Sequence, residues 1–178
     1  ADITAVMDTW YAGGTEVVFA CGGGIYTSAV DAAKKVEGAK VIGVDVDQAG
    51  VIANYAAGEG AAEADIEGFK ALTVTSAMKG LYPATYDTLT DVIVNGNWEK
   101  YSAKIDTLGL VSADDPTANY VQIPMDSTQW SDSFTQDDYK ALVAAMFDGT
   151  LVVSNDTEKA ASDFATVIKV DDQGSIKG

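Results

Sequence analysis

The chain has 178 residues, 47% of them hydrophobic, a formal net charge of −16 and no histidine. That length suits one core, or two small ones, and the composition is that of a globular chain rather than a disordered one. The acidity argues against a nucleic-acid partner, because phosphate contacts need clustered Lys and Arg; the single cysteine excludes an internal disulfide or a Cys-cluster zinc site.

In chain order, apolar residues at 3, 6, 7, 10 and 11 have helical spacing, and Gly13-Gly14 ends that helix. The run at 16–20 reads as a strand buried on both faces. Cys21 follows it and reads as an inert core thiol. Gly22-Gly23-Gly24 then turns the chain into a helix over 27–36, closed at Gly38, and a second strand follows at 40–44. Such a helix is the crossover a parallel pair requires. Residues 49–68 are rich in Ala, Gly and Glu without a clear period; they read as a surface excursion holding a short helix. A third strand is expected at 71–75 and a helix at 81–94, with Pro83 in its first turn. Residues 98–106 look loop-like or weakly helical. Extended segments are expected at 109–112 and 119–123, separated by turn chemistry at Asp114-Asp115-Pro116. Thr135 with Asp138 forms a capping box for a helix running to Phe147. A short strand at 151–153, a turn or two of helix within 157–164 and an extended piece at 166–170 complete the chain.

This alternation implies an α/β fold with a mainly parallel sheet flanked by helices. No run of about 18 apolar residues is present to span a membrane. The chain opens on Ala-Asp-Ile-Thr-Ala-Val-Met, with no signal-peptide pattern and no strand ahead of its first helix. The expectation is a piece of a longer protein.

Ligands of open parallel sheets collect beyond the carboxyl ends of the strands. Three features fall at that edge. The first is the glycine turn with Gly23 and Gly24, at a helix start that attracts anions or polar ligand oxygens. The second is Asp45, about twenty residues on, a spacing that suits a ribose diol. The third is Lys79, after the third strand. Asp47 reads as a cap or a solvated acid. The dinucleotide fingerprint is broken, since Thr27 stands where its third small residue belongs. Without His there is no catalytic triad, and no nucleophile–base pair is evident. No metal site and no cofactor is implied. A Rossmann-like NAD-binding enzyme domain, with Asp45 on the adenosine ribose, stays open as an alternative.

The stretches VVFACGGG, VIGVDVDQ, VTSAMKG and YDTLTDVIVNG, in that order, resemble the second lobe of the basic membrane protein family. These are substrate-binding lipoproteins of nucleoside ABC importers, with a type I periplasmic-binding-protein fold. GVDVDQ is the most specific part of the match. The segments DDPTANYVQIPMDSTQW and ALVAAMFDGTLVVS resemble the end of such proteins. The resemblance implies that residues 1–178 form the C-terminal lobe of a two-lobed protein, with crossover elements near 107–125. A nucleoside, expected to be a purine, would be clamped between the lobes. Asp45 would hold the ribose hydroxyls, Gly23 or Gly24 would pack on the ligand through backbone, and Lys79 would contact it from the third strand. The implied partner is an ABC importer permease, and the implied location is extracytoplasmic, with a lipid anchor outside this chain. Two departures stand out. Ile25-Tyr26 follow Gly23-Gly24 where the family has a further Thr-Gly, so Tyr26 is expected to fill the end of that turn. The stretch between Asp45 and Lys79 is also longer than usual. A sensory or surface domain of the same fold without a transport role is a further alternative.

Overall fold

The computed structural model describes residues 2–174. Its elements are α1 (Asp2–Ala12), β1 (Val17–Phe19), a 3-10 turn at Gly23–Ile25, α2 (Tyr26–Ala33), β2 (Lys40–Asp45), α3 (Ala49–Ala57), α4 (Glu63–Lys70), β3 (Thr73–Lys79) and α5 (Leu81–Leu89). A π-helical turn (Thr90–Val94), α6 (Trp98–Tyr101), a 3-10 turn (Pro116–Ala118), β4 (Val121–Gln122), α7 (Gln136–Phe147) and a 3-10 turn (Ala161–Asp163) follow. The four strands lie in the order β1-β2-β3-β4. β1 and β2 are parallel with Phe19 opposite Ile42; β2 and β3 are parallel with Asp45 opposite Met78. Only the two-residue β4 runs antiparallel, pairing Gln122 with Met78 and Val121 with Lys79. The fold is thus the expected α/β architecture with a mostly parallel sheet.

The core gathers the inner faces of three helices and two strands. Met7 and Tyr11 of α1, Ala29, Val30, Ala32 and Ala33 of α2, and Ile52 and Ala56 of α3 close over Val18 and Val41. Small alanines let the helices approach the sheet closely. The opposite face is bare at β1, where Val17 and Phe19 are exposed. Farther along the sheet, β3 is bordered by more than β4. Gln129 N donates to Val74 O at 2.8 Å, and its side chain reaches Ala71 O and Thr73 O.

Several expectations are corrected. Residues 49–68 are not a surface excursion but two helices, and α3 is part of the core. Its buried residues Ala49, Ile52, Ala53 and Ala56 have the spacing of one helix face. Three of the four are alanines, so the stripe is faint on hydropathy. β3 extends four residues past the expected end, which places Lys79 inside the strand rather than after it. Residues 109–112 form no strand, because Asn119 takes the place of a neighbouring strand. Its buried Oδ1 accepts from Val111 N and Ser112 N at 2.6 and 2.8 Å, and its Nδ2 donates to Ser112 O. Residues 151–153 and 166–170 also form no strand; the β-rich 151–153 run instead lines an apolar groove of about 570 Å3 with α7 and β4. The capping box at Thr135 and Asp138 forms as expected.

Candidate functional site

The carboxyl ends of β1, β2 and β3 meet at one edge of the sheet. The reversal at the end of β2 is the most constrained part of it. Asp45 has φ of 70°, in the left-handed region that side-chain-bearing residues seldom occupy. Val46 N then donates back to Val44 O at 2.9 Å. Gln48 folds over the strand it has just left: its Oε1 accepts from Val44 N at 2.9 Å, and its own N donates to Ser76 Oγ at 3.0 Å. Gly43 makes room for this. A Cβ there would lie 2.6 Å from Ser76 Oγ and 2.8 Å from Gln48 Cβ. Asp47 Oδ1 accepts from Ala49 N at the start of α3, and its Oδ2 accepts from Ser127 Oγ at 2.7 Å. Most of the GVDVDQ segment is therefore occupied in closing the fold. Asp45 is the member left over.

Asp45 and Lys79 are brought together. The ammonium lies 2.6 Å from Asp45 Oδ1. This oxygen is covered, with the ammonium as its partner. The remainder of the carboxylate is open, since the Asp45 side chain as a whole is 39% exposed. Contact with this carboxylate, and then its charge, raises the Lys79 pKa above that of an ordinary lysine. A ligand that donates two hydroxyls could satisfy such a carboxylate, while the ammonium donates to a ligand oxygen or ring nitrogen.

The glycine turn sits at the same edge. Gly23 has φ of 40°, and a Cβ built on Gly23 or Gly24 would meet nothing within 4 Å. The space in front of the turn is therefore open to a ligand. No side chain caps this helix start. Tyr26 does not fill the end of the turn as expected. Its ring packs on the core and lies edge-on to Tyr55 of α3, 6.0 Å between centroids. Cys21 is also corrected: it is exposed, not a core thiol. Ala20 is the last inward residue of the β1 run, and tight bonds from Cys21 N to Phe19 O and from Gly22 N to Ala20 O turn the thiol outward. Gln48 is the residue that sequence reasoning underrated. Its signal was a glutamine following two strand-end acids, with Gly43 five residues before it.

The edge is a wall rather than an enclosed pocket. Among the described residues, five concavities are lined without Gly23, Gly24 or Asp45, and Lys79 borders one of them, of about 200 Å3, beside Leu81 and Leu108. Among the described residues no group of Asp, Glu and Cys is arranged to hold a metal ion, and no helix is long and apolar enough to cross a membrane. Compared with protein-family models, the chain matches none, and compared with curated proteins it again finds no match.

Proposed function

We propose that this chain is one lobe of an extracytoplasmic solute-binding protein that delivers a nucleoside to an ABC importer. The observation that carries the reading is Asp45: a carboxylate at the end of a parallel strand, held in a strained backbone conformation, with one oxygen covered against the Lys79 ammonium and the rest of the side chain open. Strain of this kind persists where the surrounding structure over-determines it, and it collects at ligand sites. A sugar hydroxyl can donate to the oxygen that Lys79 leaves open. The open space before Gly23 and Gly24 admits a sugar or a base, and Lys79 contributes a donor. The likeness of GVDVDQ to nucleoside-binding lipoproteins supports the same ligand class.

The role is binding, not catalysis. One open wall suits a cleft completed by a second lobe, with residues 107–125 carrying the crossover between lobes. Closure about such a hinge would bury the ligand on both sides. The partner that receives the ligand is the importer's permease, and the membrane is approached through a lipid anchor outside the chain.

Isothermal titration of the natural polypeptide that contains this chain is the test. Adenosine, inosine, their 2′,3′-dideoxy forms, ribose and NADH are titrated into wild type and Asp45→Ala. Heat with the nucleosides, lost in the dideoxy forms and in the variant, is the expected result. Nucleoside binding unchanged by Asp45→Ala would overturn the reading, as would binding of ribose or NADH in place of any nucleoside.

A further inference from the structure

We propose that Gln48 is the positioning residue of the ligand edge: without touching the ligand, its amide side chain holds Asp45 in the backbone conformation that presents the open carboxylate oxygen. This deepens the nucleoside reading and rests on it. The backbone at Asp45 is one that a chain leaves when it can. Its φ of 70°, with Val46 N donating to Val44 O at 2.9 Å, makes a three-residue turn of the strained hand. The ion pair to Lys79, whose side chain is 65% exposed, is too weak to hold such a turn.

Gln48 supplies the holding. Its Oε1 accepts from Val44 N at 2.9 Å, its N donates to Ser76 Oγ at 3.0 Å, and its O accepts from Ile52 N at 2.8 Å. One residue is thus fastened to the strand before Asp45, to β3 beside it and to the helix after it. The bond from Val44 N to Gln48 Oε1 closes residues 44–48 into a ring with Asp45 inside. These fastenings lie away from water, since Gln48 is 8% exposed and Ser76 0%, and a buried bond is expensive to leave unmade. Gly43 gives the amide its place, because a Cβ there would stand 3.0 Å from Gln48 Oε1. Released from Gln48, residues 44–48 are free to return Asp45 to negative φ. That rotation turns its side chain to a new direction relative to Lys79 and the glycine turn, and a binding group is only as useful as its orientation. Gln48 therefore governs how strongly the edge prefers a ligand that carries sugar hydroxyls.

The test uses the natural polypeptide that contains this chain, with Gln48→Met, which keeps the side-chain length but loses the acceptor, and Ser76→Ala, which loses the second anchor. Adenosine and its 2′,3′-dideoxy form are measured by equilibrium dialysis, at concentrations that reach weak complexes, on wild type, on each variant and on each variant combined with Asp45→Ala. Each single variant is expected to bind adenosine about tenfold more weakly, the lower end of what one hydrogen bond to a carboxylate is worth. Its preference for adenosine over the dideoxy form should shrink by the same factor, and neither change should deepen the loss already caused by Asp45→Ala. Urea unfolding gives a readout without ligand. Asp45→Gly should exceed Asp45→Ala about fivefold in folding equilibrium in the wild-type frame and equal it in the Gln48→Met frame. Unchanged adenosine affinity in the folded variants overturns the proposal. So does an equal weakening of both ligands, or a loss that adds to that of Asp45→Ala, since a merely loosened fold gives those results. Ser76→Ala decides alone should Gln48→Met not fold. A wild type that binds no nucleoside overturns the nucleoside reading and the positioning role with it, an outcome distinct from binding that ignores Gln48.

Discussion

Asp45 can be separated into its backbone and its carboxylate by substitution. The left-handed region costs an ordinary side-chain-bearing residue about 1–2 kcal/mol, a cost that glycine escapes and that Asp and Asn partly escape through their short polar side chains. At φ of 70°, Asp45→Ala keeps a Cβ in that region and gains nothing in return. Asp45→Gly removes the strain but loses about 0.5–1 kcal/mol to the greater freedom of glycine in the unfolded chain. The ion pair with Lys79 is lost in both; with side chains 65% and 39% exposed it contributes at most about 1 kcal/mol. Asp45→Gly is thus expected close to wild type in stability, and Asp45→Ala about 1 kcal/mol below Asp45→Gly. Urea unfolding followed by intrinsic fluorescence measures this, provided the m-values agree. Ligand binding should not follow the same order. Both variants lack the carboxylate, and one hydrogen bond to its open oxygen at about 1.5–3 kcal/mol corresponds to roughly 10- to 150-fold in affinity. If Ala proves as stable as Gly, the backbone argument fails. If Asp45→Gly still binds nucleoside with near wild-type affinity, the carboxylate is not the ligand group.

Three other substitutions probe the frame around the site. Gly43→Ala forces a methyl group onto Ser76 Oγ and Gln48 and should cost about 1–3 kcal/mol in the same urea assay; a change under about 0.5 kcal/mol would show that the reversal after β2 has slack. Thr73→Val replaces a fully buried hydroxyl that has no partner and should raise stability by about 1 kcal/mol, while a loss would mean the hydroxyl is satisfied in solution. Tyr11, whose hydroxyl donates to Lys40 O at 2.6 Å, has its pKa pushed up by burial to about 12. The unfolded chain loses this proton near pH 10 and the folded chain near 12, so between these values the unfolded state holds fewer protons and stability falls as pH rises. That limb is worth roughly 3 kcal/mol; Tyr11→Phe should flatten it in pH-dependent urea melts, and an unchanged slope would refute the assignment.

The parts of the fold that strong local chemistry specifies were legible in the sequence. Val18 and Val41 sit in apolar runs of strand length, Gly38 stops a helix, and Thr135 with Asp138 announces another. Features that depend on what lies alongside were not. The face of α3 is built from alanines, whose weak hydropathy hides a helical period that burial makes plain. The run at 151–153 has β-rich residues but no neighbouring strand to pair with. The segment 109–112 has its strand partner replaced by one asparagine side chain. At the candidate site, the sequence placed Asp45 and Lys79 at one sheet edge, and the structure brings the two together, because parallel strands deliver their ends together. It did not reveal that Gln48 and Gly43 lock the reversal, since that depends on Ser76 approaching from a strand more than thirty residues away from Gly43.

The order of strands in the sheet has a consequence for how the chain reaches this structure. Each parallel strand pairs with the one that precedes it in the chain, and none has to be inserted between two already joined. Every closure therefore spans a single crossover, so none pays more loop entropy than one crossover demands, while parallel pairing keeps the sheet slower to form than its helices. During synthesis the first pair can form as soon as β2 is available, and β3 then adds to an edge that is already in place. The Asp45 reversal closes on itself through Val44 and Gln48, and one further bond, from Gln48 N to Ser76 Oγ, ties it to β3 and so requires that strand in place.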